Sequence, residues 1–454
     1  MVTLIKNSQI VTETKVFCGD ILFDEKILAI GNNLSIEEGE VLEGYIVLAG
    51  GVDIHTHMTL DVGIAKVVDD FVSGGQAALC GGTTSIIDHV GFAPVDSPLS
   101  TSPHEYVEKN GDKAAIDFGL HGVFQHFHKN TLEEMKVLAE EGITSFKIYL
   151  TYDYRLQDED IVEILQKTKE WGILPIFHAE NHQMVTNLKE SFVEKGNLSA
   201  QYHPLSRPAE AEALAIKHLV SLAKEAGNAP IYIAHLSSQL GLEEVIQGKK
   251  EGNPYIYAET CPQYLMLTDE VYDNPVEGLK YILSPPIHKK EDREALWQGL
   301  MDGHIQTIGT DHCPFHFYGA KQRGKDNFTL CPNGAPGVAE RLPLLYVEAV
   351  EKRGMSLCDF SKLVSGNPAK FAGLYPEKGS LTVGSDSDLL LFSPDCKDIV
   401  QIDLLEGNAD YSLYEGFPMQ TVQRVYQRGK LVVEHGKCIG GSGGYLPRKK
   451  YVFG

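Results

Sequence analysis

Several absences narrow what this chain does. It has no CxxC pair: its eight cysteines stand apart at Cys18, Cys80, Cys261, Cys313, Cys331, Cys358, Cys396 and Cys438. In a chain of this length scattered cysteines read as reduced thiols, which excludes a disulfide framework and a thiolate zinc site. No apolar run is long enough for a bilayer-spanning helix. The first residues, MVTLIKNSQIVTET, alternate like a strand and lack the apolar centre of a signal peptide, so a cytoplasmic location is expected. Positive charge is scarce, with 40 Lys and Arg against 62 Asp and Glu and a net charge of -22. Such a chain is a poor partner for nucleic acid or an anionic membrane. Glycine-rich phosphate loops are also missing, which disfavours a doubly wound nucleotide-binding sheet.

What is present falls into two patterns. The ends, residues 1–51 and 376–440, consist of short alternating segments such as TLIKNSQIVT, GDILFDEKILAIG and TVQRVYQRGKLVVEHGK, broken by turn residues. They read as two halves of one small β domain, a β-sandwich. Residues 441–454 (GGSGGYLPRKKYVFG begins one residue earlier) read as an irregular tail, free to pack on a neighbouring subunit. Between the halves, over 52–375, eight apolar runs alternate with helical spacing: GVDIHTHM, TTSIIDHV, DFGLHGVF, SFKIYLTY, LPIFHAEN, PIYIAHLSS, PYIYAETCP and QTIGTDHCPF. Stretches such as TLEEMKVLAEEG and DIVEILQKTKEWG read as amphipathic helices ending at glycine. Eight strand–helix units imply an α/β fold, a (β/α)8 TIM barrel, with a doubly wound sheet as the alternative.

The polar residues gather at the carboxyl ends of those runs. His55 and His57 end the first, His178 the fifth, His235 the sixth and Asp311 the eighth. In a barrel these ends share one mouth. Residues i and i+2 of a strand point the same way, so His55 and His57 can reach one ion. Four histidines and a carboxylate suit zinc or another divalent transition metal. His89, His121 and His126 read as ordinary histidines, because each stands alone. Lys147, in the middle of SFKIYLTY, is the anomaly: a lysine in a strand that reads as buried, with no acid in the strand to pair it. It is either paired with an acid from another strand or neutral. An ammonium has no lone pair for a metal, whereas the carbamate formed by CO2 on a neutral amine carries two oxygens and a negative charge, enough to bridge two cations.

These stretches, together with AETCPQYL, LSPPI, CPNGAPGVAERLPLLY and GSDSDLLLF, resemble the dihydropyrimidinase/hydantoinase family (D-hydantoinases and phenylhydantoinase-like enzymes) of the amidohydrolase superfamily, over nearly the whole chain. The resemblance implies a homotetramer, or a homodimer, that hydrolyses a small cyclic amide to an N-carbamoyl amino acid. It implies two divalent ions per subunit, Zn2+ first, with Mn2+ or Co2+ as alternatives. His55, His57 and Asp311 correspond to ligands of the more buried ion and His178 and His235 to those of the second. Lys147 corresponds to an N6-carboxylysine bridge formed with CO2. Tyr152 matches the residue that polarises the oxyanion, and Asp311 the general base and then acid. Ser284 and Asn333 match positions whose backbone holds the ring, and Leu60, Tyr149 and Leu156 an apolar pocket for a ring substituent. The chain departs from the family at His182 and Gln183 after HAEN, and at TLDVGIAKVVDDF after HTHM, both beside the expected cleft. A dihydroorotase would have arginine where Thr59 stands. Allantoinase is a second rival. Non-catalytic interaction homologues lose ligands that this chain keeps.

Substitution Lys147→Ala is expected to abolish binding of the metal pair and most turnover, with partial recovery on adding short-chain carboxylic acids. Metal analysis and a ring-opening assay check this; two bound ions at full rate in the variant would remove the bridging role.

Overall fold

The computed structural model describes residues 2–453. Eight strands form a parallel sheet in sequence order: β1 (Gly51–Thr56), β2 (Thr83–His89), β3 (Asp117–Val123), β4 (Ser145–Tyr149), β5 (Leu174–His178), β6 (Ile231–Ile233), β7 (Ile256–Thr260) and β8 (Thr307–Ile308). They are the eight apolar runs of the sequence. Nearly all of their residues are buried, as expected of strands covered on both faces. The ring closes just beyond β8, where Asp311 N–H donates to His55 O and His57 N–H to His312 O, both at 2.9 Å. The helices between strands follow their sequence signals: Asp158–Trp171 stops where Gly172 turns left-handed, at φ 69°.

The chain ends meet in a nine-stranded, mostly antiparallel sheet. Its seam is the pairing of Ile46–Ala49 with Leu389–Phe392. Alternation along the seam sends Val47, Ala49, Leu389 and Leu391 into a small core of their own. Ile46, Leu48, Leu390 and Phe392 join the large core shared with the barrel. Three strands separate Val16–Phe23 from Pro418–Gln427 in the hydrogen-bonding order. A flat sheet would hold them about 19 Å apart, yet the rings of Phe23 and Tyr426 meet at 5.0 Å. The sheet therefore folds over on itself, which is the sandwich expected from the two ends.

The tail does not stand free. Gly444 and Leu446 hydrogen-bond to Phe118, Arg448 to Gly142 and Tyr451 to Gly172, so it crosses the amino ends of β3, β4 and β5 in its own chain. Arg448 is buried there against Leu120 O and Ser145 Oγ. The tail thus covers part of the amino face, opposite the face onto which the strand carboxyl ends project. No helix among the described residues is long and apolar enough to cross a membrane.

Candidate active site

At the open end a cavity of about 290 Å³ is lined by His55, His57, Lys147, His178, His235, Asp311, Tyr152, Ser284 and Asn333. Residues scattered over nearly 280 positions of sequence share it because each lies in a barrel strand or in the segment that leaves its carboxyl end. Leu60 and Tyr149 also line it, joined by Val62, Ile64 and Tyr154. Leu156 does not: it is buried and borders the neighbouring cavity beside Asn181 and His182. Its side chain belongs to the large core, so the apolar wall is drawn without it.

The backbone at three of these residues is left-handed: Tyr152 at φ 72°, His235 at φ 39° and Asp311 at φ 55°. Non-glycine residues held there cost on the order of 1–3 kcal/mol each, and the surrounding structure must enforce them. At Asp311 the enforcement is the backbone bond to His55 O. It carries the carboxylate to His55 Nε2 at 3.2 Å and His57 Nε2 at 3.0 Å.

The donor set fits divalent cations. His55 donates Nδ1–H to Glu259 at 2.5 Å, which leaves its lone pair on Nε2, facing Asp311. Two acceptors confronted in a buried site repel unless a cation joins them. Burial alone would lower His55, but Glu259 and Asp311 overcome it and raise the pKa to about 9, so without a metal ion Nε2 carries a proton facing Asp311, and a cation binding there takes that proton's place. His55 Nε2, His57 Nδ1, His235 Nδ1 and Lys147 Nζ are all buried without a hydrogen-bond partner. Burial holds His57 and His235 below the ordinary histidine range, so both offer neutral nitrogens. On the other side, His178 gives Nε2–H to Glu180 at 2.6 Å and packs against His235, with ring centroids 4.6 Å apart. The second nitrogen of His178 is thereby left for a metal.

Lys147 is 1% exposed, and burial, against the pull of Asp311 and Glu259, brings its pKa down to about 8. A neutral amine is therefore accessible near physiological pH, as reaction with CO2 requires.

Some of the site was not read from sequence. Glu259 accepts His55 Nδ1–H, Tyr232 O–H at 3.0 Å and His235 N–H at 3.2 Å, tying one ligand from each side of the cavity to one carboxylate. The fully buried Lys321 donates to Ile282 O at 2.7 Å and Pro332 O at 3.0 Å. It thus ties together the two segments that carry Ser284 and Asn333. His89 stacks on His57 at 4.9 Å, and its ligand atoms lie within 4.8 Å of those of His55 and His57. Its nitrogens are buried and unpartnered, unlike those of His121, which meet Ser145 Oγ and Ile54 O. The histidine cluster is therefore larger than the reading from strand ends allowed. The sequence signal was the second run itself, TTSIIDHV, which carries His89 next to its end.

The sequence profile of the amidohydrolase family matches residues 46–432. The D-phenylhydantoinase of Escherichia coli O9:H4 (strain HS) is 41% identical over 459 aligned positions, covering 100% of this chain and 99% of that protein. The crystal structure of dihydropyrimidinase from Brevibacillus agri NCHU1002 superposes with a TM-score of 0.96 at 36% identity, covering 100% of both chains. The L-hydantoinase (dihydropyrimidinase) from Arthrobacter aurescens gives 0.88 at 28% identity, over 98% of this chain and 99% of that one.

Because Glu259 orients His55, Glu259→Gln is expected to weaken metal binding by about 10–100-fold, the usual cost of losing an outer partner of a ligating histidine. Competition with a chelator measures it. Unchanged affinity would show that the His55 ring is held by packing alone.

Proposed function

Because the chain belongs to the amidohydrolase family, and within it to the dihydropyrimidinase/hydantoinase group of cyclic-amide hydrolases, we propose that it opens the ring amide of 5-substituted hydantoins or dihydropyrimidines. The products are N-carbamoyl amino acids. The observation that carries the reading is the convergence of His55, His57, Lys147, His178, His235 and Asp311 on one cavity, with lone pairs and an amine left without protein partners. His55, His57 and Asp311 would hold one divalent ion and His178 and His235 the second, and Lys147, once carboxylated by CO2, would supply an anion to both. Zn2+ is the first choice for an imidazole and carboxylate set, with Mn2+ or Co2+ able to replace it. Such ions, when bound, lower the pKa of water and polarise a carbonyl.

The protein's own groups do the rest. Asp311 takes the proton released by the attacking water and returns it to the ring nitrogen as that nitrogen leaves, acting as base and then acid. Burial, partly offset by Arg207, keeps the Tyr152 phenol above its ordinary pKa. It is therefore a donor at working pH, placed for the oxygen that becomes negative when the carbonyl is attacked. Backbone groups at Ser284 and Asn333 hold the ring amide, on segments that Lys321 ties together. Leu60, Val62, Ile64, Tyr149 and Tyr154 form an apolar wall at the mouth, suited to an aromatic or aliphatic 5-substituent. A homotetramer in the cytoplasm is part of the same proposal and rests on resemblance to the family.

Kinetics on the metal-loaded enzyme with 5-phenylhydantoin, hydantoin, dihydrouracil, allantoin and dihydroorotate test this. We expect kcat/KM for 5-phenylhydantoin to exceed that for allantoin and dihydroorotate by at least about tenfold, the scale of apolar pocket discrimination. A preference for dihydroorotate or allantoin would overturn the substrate assignment, and no turnover of any member would overturn the enzyme reading.

A further inference from the structure

Beside the cavity lies a buried cation that the chemistry above leaves without a task. Arg207 follows the short helix Tyr202–Ser206 and is 6% exposed. One arm of its guanidinium pairs with the Glu180 carboxylate. The other, Nη2, donates to the Tyr152 hydroxyl at 3.2 Å. Glu180, itself buried, accepts His178 Nε2–H. One planar group thus touches, directly or through a single carboxylate, both the proposed oxyanion donor and a proposed metal ligand.

The chemistry of a phenol gives this contact a direction. The Tyr152 oxygen has one proton to give and lone pairs to receive. Arg207 occupies a lone pair, so the proton is free to point elsewhere, and a hydroxyl that accepts from a cation is a stronger donor. The same guanidinium pairs with Glu180 on Oε2, the oxygen that also accepts from His178, and so engages the carboxylate that could compete for that proton. The Tyr152 ring is held from a second direction, stacked on Tyr154 at 5.4 Å and 26°. The left-handed backbone at Tyr152 leaves little freedom in where the ring starts. On the other arm, a Glu180 fixed by Arg207 holds Nε2–H of His178, which settles which nitrogen faces the metal. A lysine has no such fork and cannot serve both arms.

We propose that Arg207 is a positioning residue that aims the Tyr152 proton into the cavity and, through Glu180, fixes the metal-facing nitrogen of His178. The first half rests on the reading of Tyr152 as oxyanion donor.

The test is a kinetic cycle of Arg207→Lys and Tyr152→Phe, with metal content measured on every protein. Tyr152→Phe alone should lower kcat by about 10²–10³, the cost of one oxyanion donor. Arg207→Lys keeps a cation against Glu180 but loses the fork. It should lower kcat about tenfold with KM within about twofold and two metals retained; in the Tyr152→Phe background it should cost less than about twofold, as for groups acting as a unit. Arg207→Met removes both arms and should also lower the metal-to-chain ratio below two; if that variant does not fold, Arg207→Lys carries the test of the first arm and the metal content of Glu180→Gln that of the second. Equal losses in both backgrounds, or no loss in either, would overturn the role of Arg207 while leaving Tyr152 as donor. An unchanged rate for Tyr152→Phe would instead remove Tyr152, and the first arm with it. Full metal content in both Arg207→Met and Glu180→Gln would overturn the second.

Discussion

An amine buried without a partner is the constraint around which the site is organised. Two other lysines show what this protein does with such a group elsewhere. Lys378 is buried among Asp117, Asp386 and Asp388, at 2.7–2.9 Å, and those carboxylates hold it firmly charged. Lys321 is buried against two carbonyls. Lys147 has neither. Leaving an ammonium so is costly, and burial brings the pKa down to about 8, which puts the neutral amine within reach. Its neighbours supply the reason for keeping it: histidine lone pairs and the Asp311 carboxylate need cations, and cations need a bridging anion. The proposed carbamate on Lys147 would satisfy both demands at once.

The barrel makes this arrangement possible through its geometry. Parallel strands deliver the functional residues to a common face, and the tail crosses the amino ends of β3, β4 and β5 on the opposite face. Three residues at the open end accept left-handed backbone to reach inward, and the hydrogen bonds of barrel closure hold one of them, Asp311, in place. Outer groups then set the direction of inner ones. Glu259 orients His55, Glu180 orients His178, and Arg207 ties Glu180 to Tyr152.

How much of this was legible follows from how each group announces itself. Periodicity marked all eight barrel strands, because strands buried on both faces read as apolar runs. Lys147 was legible as a violation of that pattern, and His55 and His57 as a same-face pair. Glu259, Glu180 and Arg207 break no pattern. A carboxylate near a strand end is common, and its value lies in partners such as His55, 204 positions away. Lys321 lies in an irregular stretch with no periodicity to violate. His89 was set aside for standing alone, although it ends its strand as His178 does; only the packing of β1 beside β2 places it against His57. Leu156 was assigned to the pocket wall by resemblance, but the turn after Tyr152 carries it past the cavity.

The central claim, one CO2 and two metal ions held on Lys147, is tested most directly by loading the protein with metal in 13C-labelled bicarbonate. Bound label and metal are then counted together. The account predicts one labelled carbamate and two ions per chain, both lost together on acidification and absent from Lys147→Ala. Two ions bound with no label, or label retained in Lys147→Ala, would contradict it.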